Sequence, residues 1–223
     1  MSVFSQTETA ITIDGPAGIL EASVRAGDEA GPLAHQELAA IVCHPHPQHG
    51  GTMKNKVVTT LARVYRDLGI DVVRFNFRGV GGSEGSYDKS IGETEDLLAV
   101  HHWLLEQRPG FQRLLAGFSF GSAVAARAAY ALDVPPRHLL LVAPPVERYD
   151  YDRDGRFPCP VGVVQGGADD VVVPEGVVNW TRGHLQSPCE LLYYPEAGHF
   201  FHGQLTSMKL DVTELVQRQL EQS

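Results

Sequence analysis

The segment RLLAGFSFGSAVAARAAY, residues 113–130, contains the pattern that decides how this chain folds. A short apolar run leads into Gly117-Phe118-Ser119-Phe120-Gly121, and a stretch of strong helix formers follows at once. A G-x-S-x-G sequence between a strand and a helix is typical of a sharp, strained turn that exposes a serine hydroxyl at the edge of a sheet. Small residues are needed on both sides, because larger side chains would collide with the strand or the helix. Ser119 is therefore a candidate nucleophile, with a helix N-cap as the alternative role.

A second match to the same pattern lies at Gly81–Gly85, with Ser83 in the central position. By chance alone, roughly one unrelated chain in ten of this composition would contain such a match, so the context has to decide between the two. Ser83 lies in a glycine-rich loop, and the next helical pattern begins only near Gly92. The strand-to-helix context favours Ser119.

Apolar runs and helical segments alternate along most of the chain. Continuous apolar runs are typical of parallel strands buried on both faces. The N-terminal segment instead alternates polar and apolar residues around a D-G-P-A-G turn, which predicts an antiparallel hairpin. The fold class expected is α/β, a mostly parallel doubly wound sheet with an antiparallel N-terminal edge. The expected strands are 7–13, 19–24, 38–43, 72–77, 114–118, 139–142, 161–165 and 191–194, and the expected helices lie near 55–68, 92–107, 120–132, 174–185 and 207–221.

Two further polar residues follow later strands in the order that a serine nucleophile requires. A serine needs a base to take its proton and an acid to orient that base, in the chain order Ser, Asp or Glu, His. Asp169 follows the strand 161–165, and His199 follows the last strand, 191–194. Taken alone, Asp169 would suit a turn or helix cap and His199 a loop. Their order after Ser119 predicts a catalytic triad, with Asp170 as a less well placed acid.

Acyl transfer also needs hydrogen-bond donors for a developing oxyanion. The backbone N–H of Phe120, directly after the candidate nucleophile, is one expected donor. The second is expected from the loop after the strand 38–43, which begins His44-Pro45-His46-Pro47. Because proline has no N–H, His46 is the best placed donor in the first part of this loop.

Four segments together resemble the serine α/β-hydrolases, particularly small bacterial ones of esterase type. They are HPHPQHGGTMKNKVV at 44–58, NFRGVGGSEG at 76–85, GFSFG at 117–121 and GHFFH at 198–202, and the resemblance covers about residues 38–205. It implies an α/β-hydrolase fold, with Ser119 as nucleophile, His199 as base and Asp169 as acid. It also implies that 76–85 is a structural loop beside the site. The substrate is not implied, because this fold serves esterases, thioesterases, peptidases and other enzymes.

The pocket and the access to it can also be anticipated. Phe118 and Phe200 flank the catalytic candidates and are expected to line an apolar substrate pocket, with core packing as the alternative. The interval 143–160 contains four prolines and, at 149–154, a charged stretch expected to be solvated or to rim the cleft. Such a segment cannot easily form an amphipathic helical cap, so no large lid is expected. An open cleft predicts a preference for short, soluble acyl esters.

Composition limits the class of protein. A chain of 223 residues, 43% hydrophobic and 20% charged, is expected to form one globular domain, and the resemblance implies that this is a single α/β-hydrolase domain over 1–223. A net charge of −9 without a long basic run argues against nucleic acid or an anionic membrane as partner. Three dispersed cysteines and the lack of an apolar leader predict a reducing, cytoplasmic location.

No cofactor or metal is expected. His44, His46 and His49 have no acidic residue nearby to complete a metal site, and Gly79–Gly82 departs from the dinucleotide fingerprint. The expected activity is hydrolysis of a small-molecule carboxylic ester through an acyl-enzyme. The alternatives are an acyltransferase, thioesterase or perhydrolase with the same triad, or a non-catalytic binding protein on this fold. The oligomeric state is not predicted.

Overall fold

The computed structural model describes residues 2–151 and 155–222. Within these ranges one sheet of eight strands has the order β1-β2-β4-β3-β5-β6-β7-β8. β1 and β2 form the antiparallel hairpin, β2 pairs antiparallel with β4, and the remaining pairs are parallel. The predicted α/β-hydrolase fold is confirmed. The strands are β1 (Thr9–Gly15), β2 (Gly18–Arg25), β3 (Leu38–Cys43), β4 (Asp71–Phe75), β5 (Gln112–Phe118), β6 (His138–Val142), β7 (Val161–Gly166) and β8 (Cys189–Tyr194).

The described part of the chain has five α-helices, of which the first four connect strands and the last follows β8: α1 (Lys56–Asp67), α2 (Ile91–Gln107), α3 (Phe120–Ala131), α4 (Pro174–Asn179) and α5 (Leu205–Glu221). The side chain of Asn55 starts α1 by accepting a hydrogen bond from the backbone N–H of Val57 at 2.9 Å. Gly69, at φ +91°, follows the end of α1 in the left-handed conformation that glycine tolerates. The helix predicted near 174–185 is α4 followed by one π-helical turn, Trp180–His184.

The two faces of the sheet are buried in separate cores. On β3, Ile41 packs in the core shared with α2 and α3, whereas its neighbours Ala40 and Val42 pack in the core shared with α1 and α5. Every residue of β3 is buried. Burial on both faces is the reason that the parallel strands read as continuous apolar runs.

β4 ends earlier than predicted. The apolar run continues to Phe77, but the strand stops at Phe75. The N–H of Asn76 donates to the carbonyl of Glu21 at 2.8 Å, and that of Phe77 donates to Nε2 of His44 at 3.0 Å. The polypeptide after β4 is thus tied to β2 and to the loop after β3.

The interval between β6 and β7 forms no helix in its described residues, 143–151 and 155–160. In the charged stretch 149–154, Tyr149 is half-buried and Tyr151 is buried, so these two residues are not solvated as expected; residues 152–154 lie outside the described residues. Over the described ranges, no helix combines the length and apolar character needed to cross a membrane.

Candidate active site

Ser119 lies on the turn that joins β5 to α3. Its backbone has φ 54° and ψ −122°, a region that residues other than glycine rarely occupy and that costs about 1–3 kcal/mol. The backbone N–H of Ser119 donates to the carbonyl of Val142 at 2.8 Å, and the carbonyl of Ser119 accepts from the N–H of Ser122 at 2.9 Å. The hydroxyl of Ser122 also donates to this carbonyl and contacts the buried hydroxyl of Tyr151. These contacts hold the strained turn.

The two glycines of the pattern allow this turn to pack. A Cβ on Gly117 would lie 2.1 Å from the carbonyl oxygen of Gly121. A Cβ on Gly121 would lie 2.5 Å from the carbonyl oxygen of His44. Both contacts are with backbone, which cannot move aside as a flexible side chain would. The start of α3 therefore lies directly against the ends of β5 and β3.

The structure brings together the three residues that the sequence predicts as a triad. Nε2 of His199 lies 3.1 Å from Oγ of Ser119, and Nδ1 of His199 lies 2.8 Å from Oδ2 of Asp169. All three residues are buried. A proton on Nδ1, donated to Asp169, leaves Nε2 free to accept the hydroxyl proton of Ser119. This is the geometry needed to activate a serine.

Asp169 is held as an anion. Its Oδ1 accepts hydrogen bonds from the backbone N–H groups of Val171 and Val172, each at 2.8 Å. Burial tends to raise the pKa of this carboxyl, but the hydrogen bonds from His199 and the two amides outweigh burial and lower its pKa. Asp170 is exposed and is not among the hydrogen-bond partners of His199. The geometry favours Asp169 over Asp170 as the acid.

The loop after β3 is anchored by a buried histidine that the sequence did not single out as an anchor. The ring of His44 donates from Nδ1 to the carbonyl of Pro45 at 2.6 Å and accepts the N–H of Phe77 at Nε2. Burial lowers the pKa of His44 to about 4, against a smaller upward effect of the hydrogen bond to Pro45. His44 is thus a neutral, fully engaged ring. The one feature of the sequence that pointed to this role is the position of His44 directly after a buried apolar strand.

The two expected oxyanion donors belong to different segments, the start of α3 and the loop after β3. Phe120 is the first residue of α3, where backbone N–H groups have no partner within the helix. His46 lines the cleft beside Ser119, and the loop returns through Gly51, whose N–H donates to the carbonyl of His46 at 3.0 Å. Their roles as oxyanion donors stay predictions.

A cleft of about 140 Å³ opens over Ser119 and His199. Phe200, 43% exposed, lines it as expected. Phe118 is fully buried, and its ring lies beneath the imidazole of His199 with 5.0 Å between ring centroids. Several further residues, to which the sequence analysis assigned no such position, line the cleft. His49, Gly50, Gly51 and Asn55 belong to the segment 44–58 that carries the resemblance, and Val171 follows Asp170.

The loop 76–85 has structural contacts, as the resemblance implied. The hydroxyl of Ser83 donates to the carbonyl of Asn76 at 2.7 Å and accepts the N–H of Glu21 at 2.9 Å. The guanidinium of Arg78 donates to the fully buried carboxylate of Asp96 in α2. Ser83 therefore has a buried structural role beside β2, and the second G-x-S-x-G match does not form an elbow.

Comparison with known proteins agrees with this architecture. The family model of the X-Pro dipeptidyl-peptidase (S15 family) matches residues 30–190. An uncharacterised protein of Rickettsia prowazekii is 37% identical over 200 residues, which cover 86% of this chain and 81% of that protein. The crystal structure of a Xanthomonas campestris α/β serine hydrolase without a lid has a TM-score of 0.87 and 42% identity, and covers 98% of this chain and 97% of its own. A Coxiella burnetii α/β serine hydrolase homologue has a TM-score of 0.86 and 40% identity, over 92% of this chain and 96% of that chain.

Proposed function

This chain belongs to the S15 family within the α/β-hydrolase superfamily, and we propose that it is a serine hydrolase that cleaves small carboxylic esters through an acyl-enzyme on Ser119. The fold and the family indicate a hydrolase. The observation that carries the proposal is the unbroken hydrogen-bonded series from Ser119 through His199 to Asp169.

The reaction follows from this series. Oγ of Ser119 attacks the ester carbonyl carbon while Nε2 of His199 takes the hydroxyl proton. Asp169 stabilises the resulting imidazolium. The oxyanion forms near the backbone N–H of Phe120. His199 then gives its proton to the departing alkoxide, so the alcohol leaves and the acyl group stays on Ser119. A water molecule activated by His199 hydrolyses this acyl-enzyme and restores the serine.

The size and polarity of the cleft support a small, uncharged acyl group. Its volume of about 140 Å³ is close to that of a cavity, ~150 Å³, that holds benzene in another protein. Val171 and Phe200 supply apolar surface beside the reacting groups. Each methylene of the acyl chain that is buried there adds about 0.8 kcal/mol to the binding free energy, but only as far as the apolar wall of the cleft reaches. The gain from longer chains should therefore end early.

Peptide hydrolysis is the second candidate, because the matching family model is described as a dipeptidyl-peptidase. An enzyme that removes dipeptides needs a group that receives the free N-terminal amine of its substrate. Among the described residues that line the cleft, none is Asp or Glu. The lack of an acidic group in the lining thus favours a neutral ester over a peptide with a charged N-terminal amine. Acyl transfer, thioester cleavage and perhydrolysis use the same three residues and differ in the acceptor or the leaving group.

The proposal is tested with p-nitrophenyl esters of increasing acyl length, an alanyl-prolyl p-nitroanilide and a fluorophosphonate probe. We expect turnover of the short esters, little of the anilide, and a single fluorophosphonate adduct on Ser119. Ser119→Ala should fold normally and lose about 10⁶-fold of turnover, as in well-studied triads. Labelling at Ser83, or near-normal turnover by Ser119→Ala, would exclude Ser119 as nucleophile. Faster cleavage of the anilide than of any ester would favour the peptidase.

A further inference from the structure

A second cavity of about 220 Å³ lies between β2, β4 and α1 and shares no lining residue with the cleft over Ser119. We call it the arginine cavity, because four of its lining side chains are Arg25, Arg63, Arg66 and Arg74. The chain as a whole carries a net charge of −9. This local excess of positive charge therefore contrasts with the rest of the molecule.

Two of the four arginines are neutralised by ion pairs. Arg74, 6% exposed, donates to Glu8 and, through Nη1, to the carbonyl of Met53 at 2.6 Å. Glu8 also accepts the hydroxyl of Ser23 at 2.7 Å, so both of these polar partners are already engaged. Arg66 pairs with Asp67, which lies outside the cavity. These contacts hold Arg66 and Arg74 in place, and each of these two arginines has a carboxylate partner for its charge.

The other two arginines have no ion-pair partner, although Arg25 is attracted at longer range by Glu8, a carboxylate that also lines the cavity. Within the ranges 2–151 and 155–222, no carboxylate oxygen lies within 4.0 Å of the guanidinium of Arg25 or of Arg63. Nε of Arg25 is also buried without a hydrogen-bond partner among the described residues. A donor buried in this way costs about 1–3 kcal/mol and is closed off from the cavity, so the terminal nitrogens of the Arg25 guanidinium are the ones that can meet a ligand.

We propose that the arginine cavity binds a small phosphoryl anion, inorganic phosphate or a small phosphomonoester, between Arg25 and Arg63. Arginine presents its donors as a planar fork that matches phosphate oxygens, and such charge-assisted hydrogen bonds are strong. A dianion offsets the charges of Arg25 and Arg63, neither of which has a carboxylate within 4.0 Å in the described ranges. The cavity volume accepts a phosphoryl group with a small substituent. Since the cleft over Ser119 shares no residue with this cavity, the site is independent of ester hydrolysis.

The test is isothermal titration of the whole chain with inorganic phosphate, phenyl phosphate and acetate, each at matched ionic strength in chloride. We expect heat of binding and a raised melting temperature with phosphate, phenyl phosphate or both, and not with acetate. Phosphate alone would identify the free anion as the ligand, and tighter binding of phenyl phosphate would identify a phosphomonoester. Absence of binding by both phosphoryl compounds, or equal binding of acetate, would overturn the proposal.

Variants locate the site. Arg63 is exposed, so Arg63→Gln should fold normally and weaken phosphate binding about tenfold or more, the effect of one lost charge-assisted hydrogen bond. Arg25→Lys keeps the charge but loses the fork, and should weaken binding similarly. Arg182→Gln removes an exposed arginine far along the sequence, outside the cavity, and is the matched control. Equal binding by Arg63→Gln, Arg25→Lys and the control would place the anion elsewhere and refute the assignment.

Discussion

Asp169 and Asp170 are neighbours in sequence, but only one of them contacts His199. Asp169 accepts Nδ1–H of His199 at 2.8 Å, whereas Asp170 is exposed. Asp169→Asn removes the charge that stabilises the imidazolium and favours the wrong ring tautomer. We expect it to reduce turnover by roughly 10³–10⁴-fold, while Asp170→Asn has little effect. Steady-state kinetics on a short p-nitrophenyl ester measure both, and the opposite ranking would transfer the role to Asp170.

At the scale of single residues, the sequence was informative where chemistry imposes an order. Ser119, Asp169 and His199 each follow a strand, in the order that this fold requires, so they could be predicted without a structure. His44 could not be identified as an anchor in this way. Its role depends on the N–H of Phe77, 33 residues away, and contacts between distant loops leave no periodic pattern in the sequence.

The strand-to-helix element that carries Ser119 depends on close backbone packing. A Cβ on Gly121 would lie 2.5 Å from the carbonyl oxygen of His44 and 2.6 Å from that of Cys43. Gly121→Ala should therefore destabilise the fold by about 1–3 kcal/mol through overpacking. It should also shift Ser119 relative to His199, which can reduce turnover by about 10²-fold.

Gly183 provides the matched control for this element. It is exposed, and a Cβ there would meet nothing within 4 Å. Gly183→Ala should leave the urea midpoint and the turnover of the folded protein nearly unchanged. If Gly121→Ala behaves like Gly183→Ala in both measurements, the close packing at the elbow is not needed for stability or for catalysis.

The elements themselves were largely predictable, and their ends were not. β3 has the predicted bounds, Leu38–Cys43, because its apolar run coincides with burial on both faces. β4 stops at Phe75 although its apolar run continues to Phe77. The N–H of Asn76 still bonds to β2, at Glu21, but that of Phe77 bonds to the ring of His44 and not to a strand. The apolar pattern of a sequence indicates which residues are buried. Where a strand ends depends instead on the hydrogen-bond partner of each backbone N–H group.

For the whole molecule, the openness of the cleft leads to a prediction about oil–water interfaces. The described residues between β6 and β7 form no helix that would cover Ser119, so these residues supply no helical cap that an oil–water interface could displace. The rate on a short triglyceride should rise with concentration and level off before the solubility limit. A steep rise once droplets form, or a preference for acyl chains beyond about twelve carbons, would contradict an open and shallow cleft.

Stability against acid is a second property of the whole fold, because buried histidines with a lowered pKa lie in different parts of it; His44, His101 and His138 are such residues. Burial lowers the pKa of His138 to about 4, against a smaller upward effect of its hydrogen bond to Gln219, and it lowers that of His44 to the same value. In the unfolded chain their pKa is near 6.5. Each ring thus favours unfolding by up to about 3 kcal/mol once the solution is acidic enough to protonate it.

These rings contribute to the pH dependence of unfolding, as His44 and His138 illustrate. Above pH 6.5 both are neutral in either state, so their contribution to stability is complete; as the pH falls towards 4, the unfolded chain takes up protons first and the folded state loses that contribution. His138→Gln removes one group that binds a proton on unfolding. In this window it should reduce the slope of unfolding free energy against pH by about 1.4 kcal/mol per pH unit. Urea unfolding at several pH values measures the slope. The same replacement at His202, whose side chain is exposed, is the matched control. Equal slopes in His138→Gln and wild type would mean that His138 takes up its proton without unfolding.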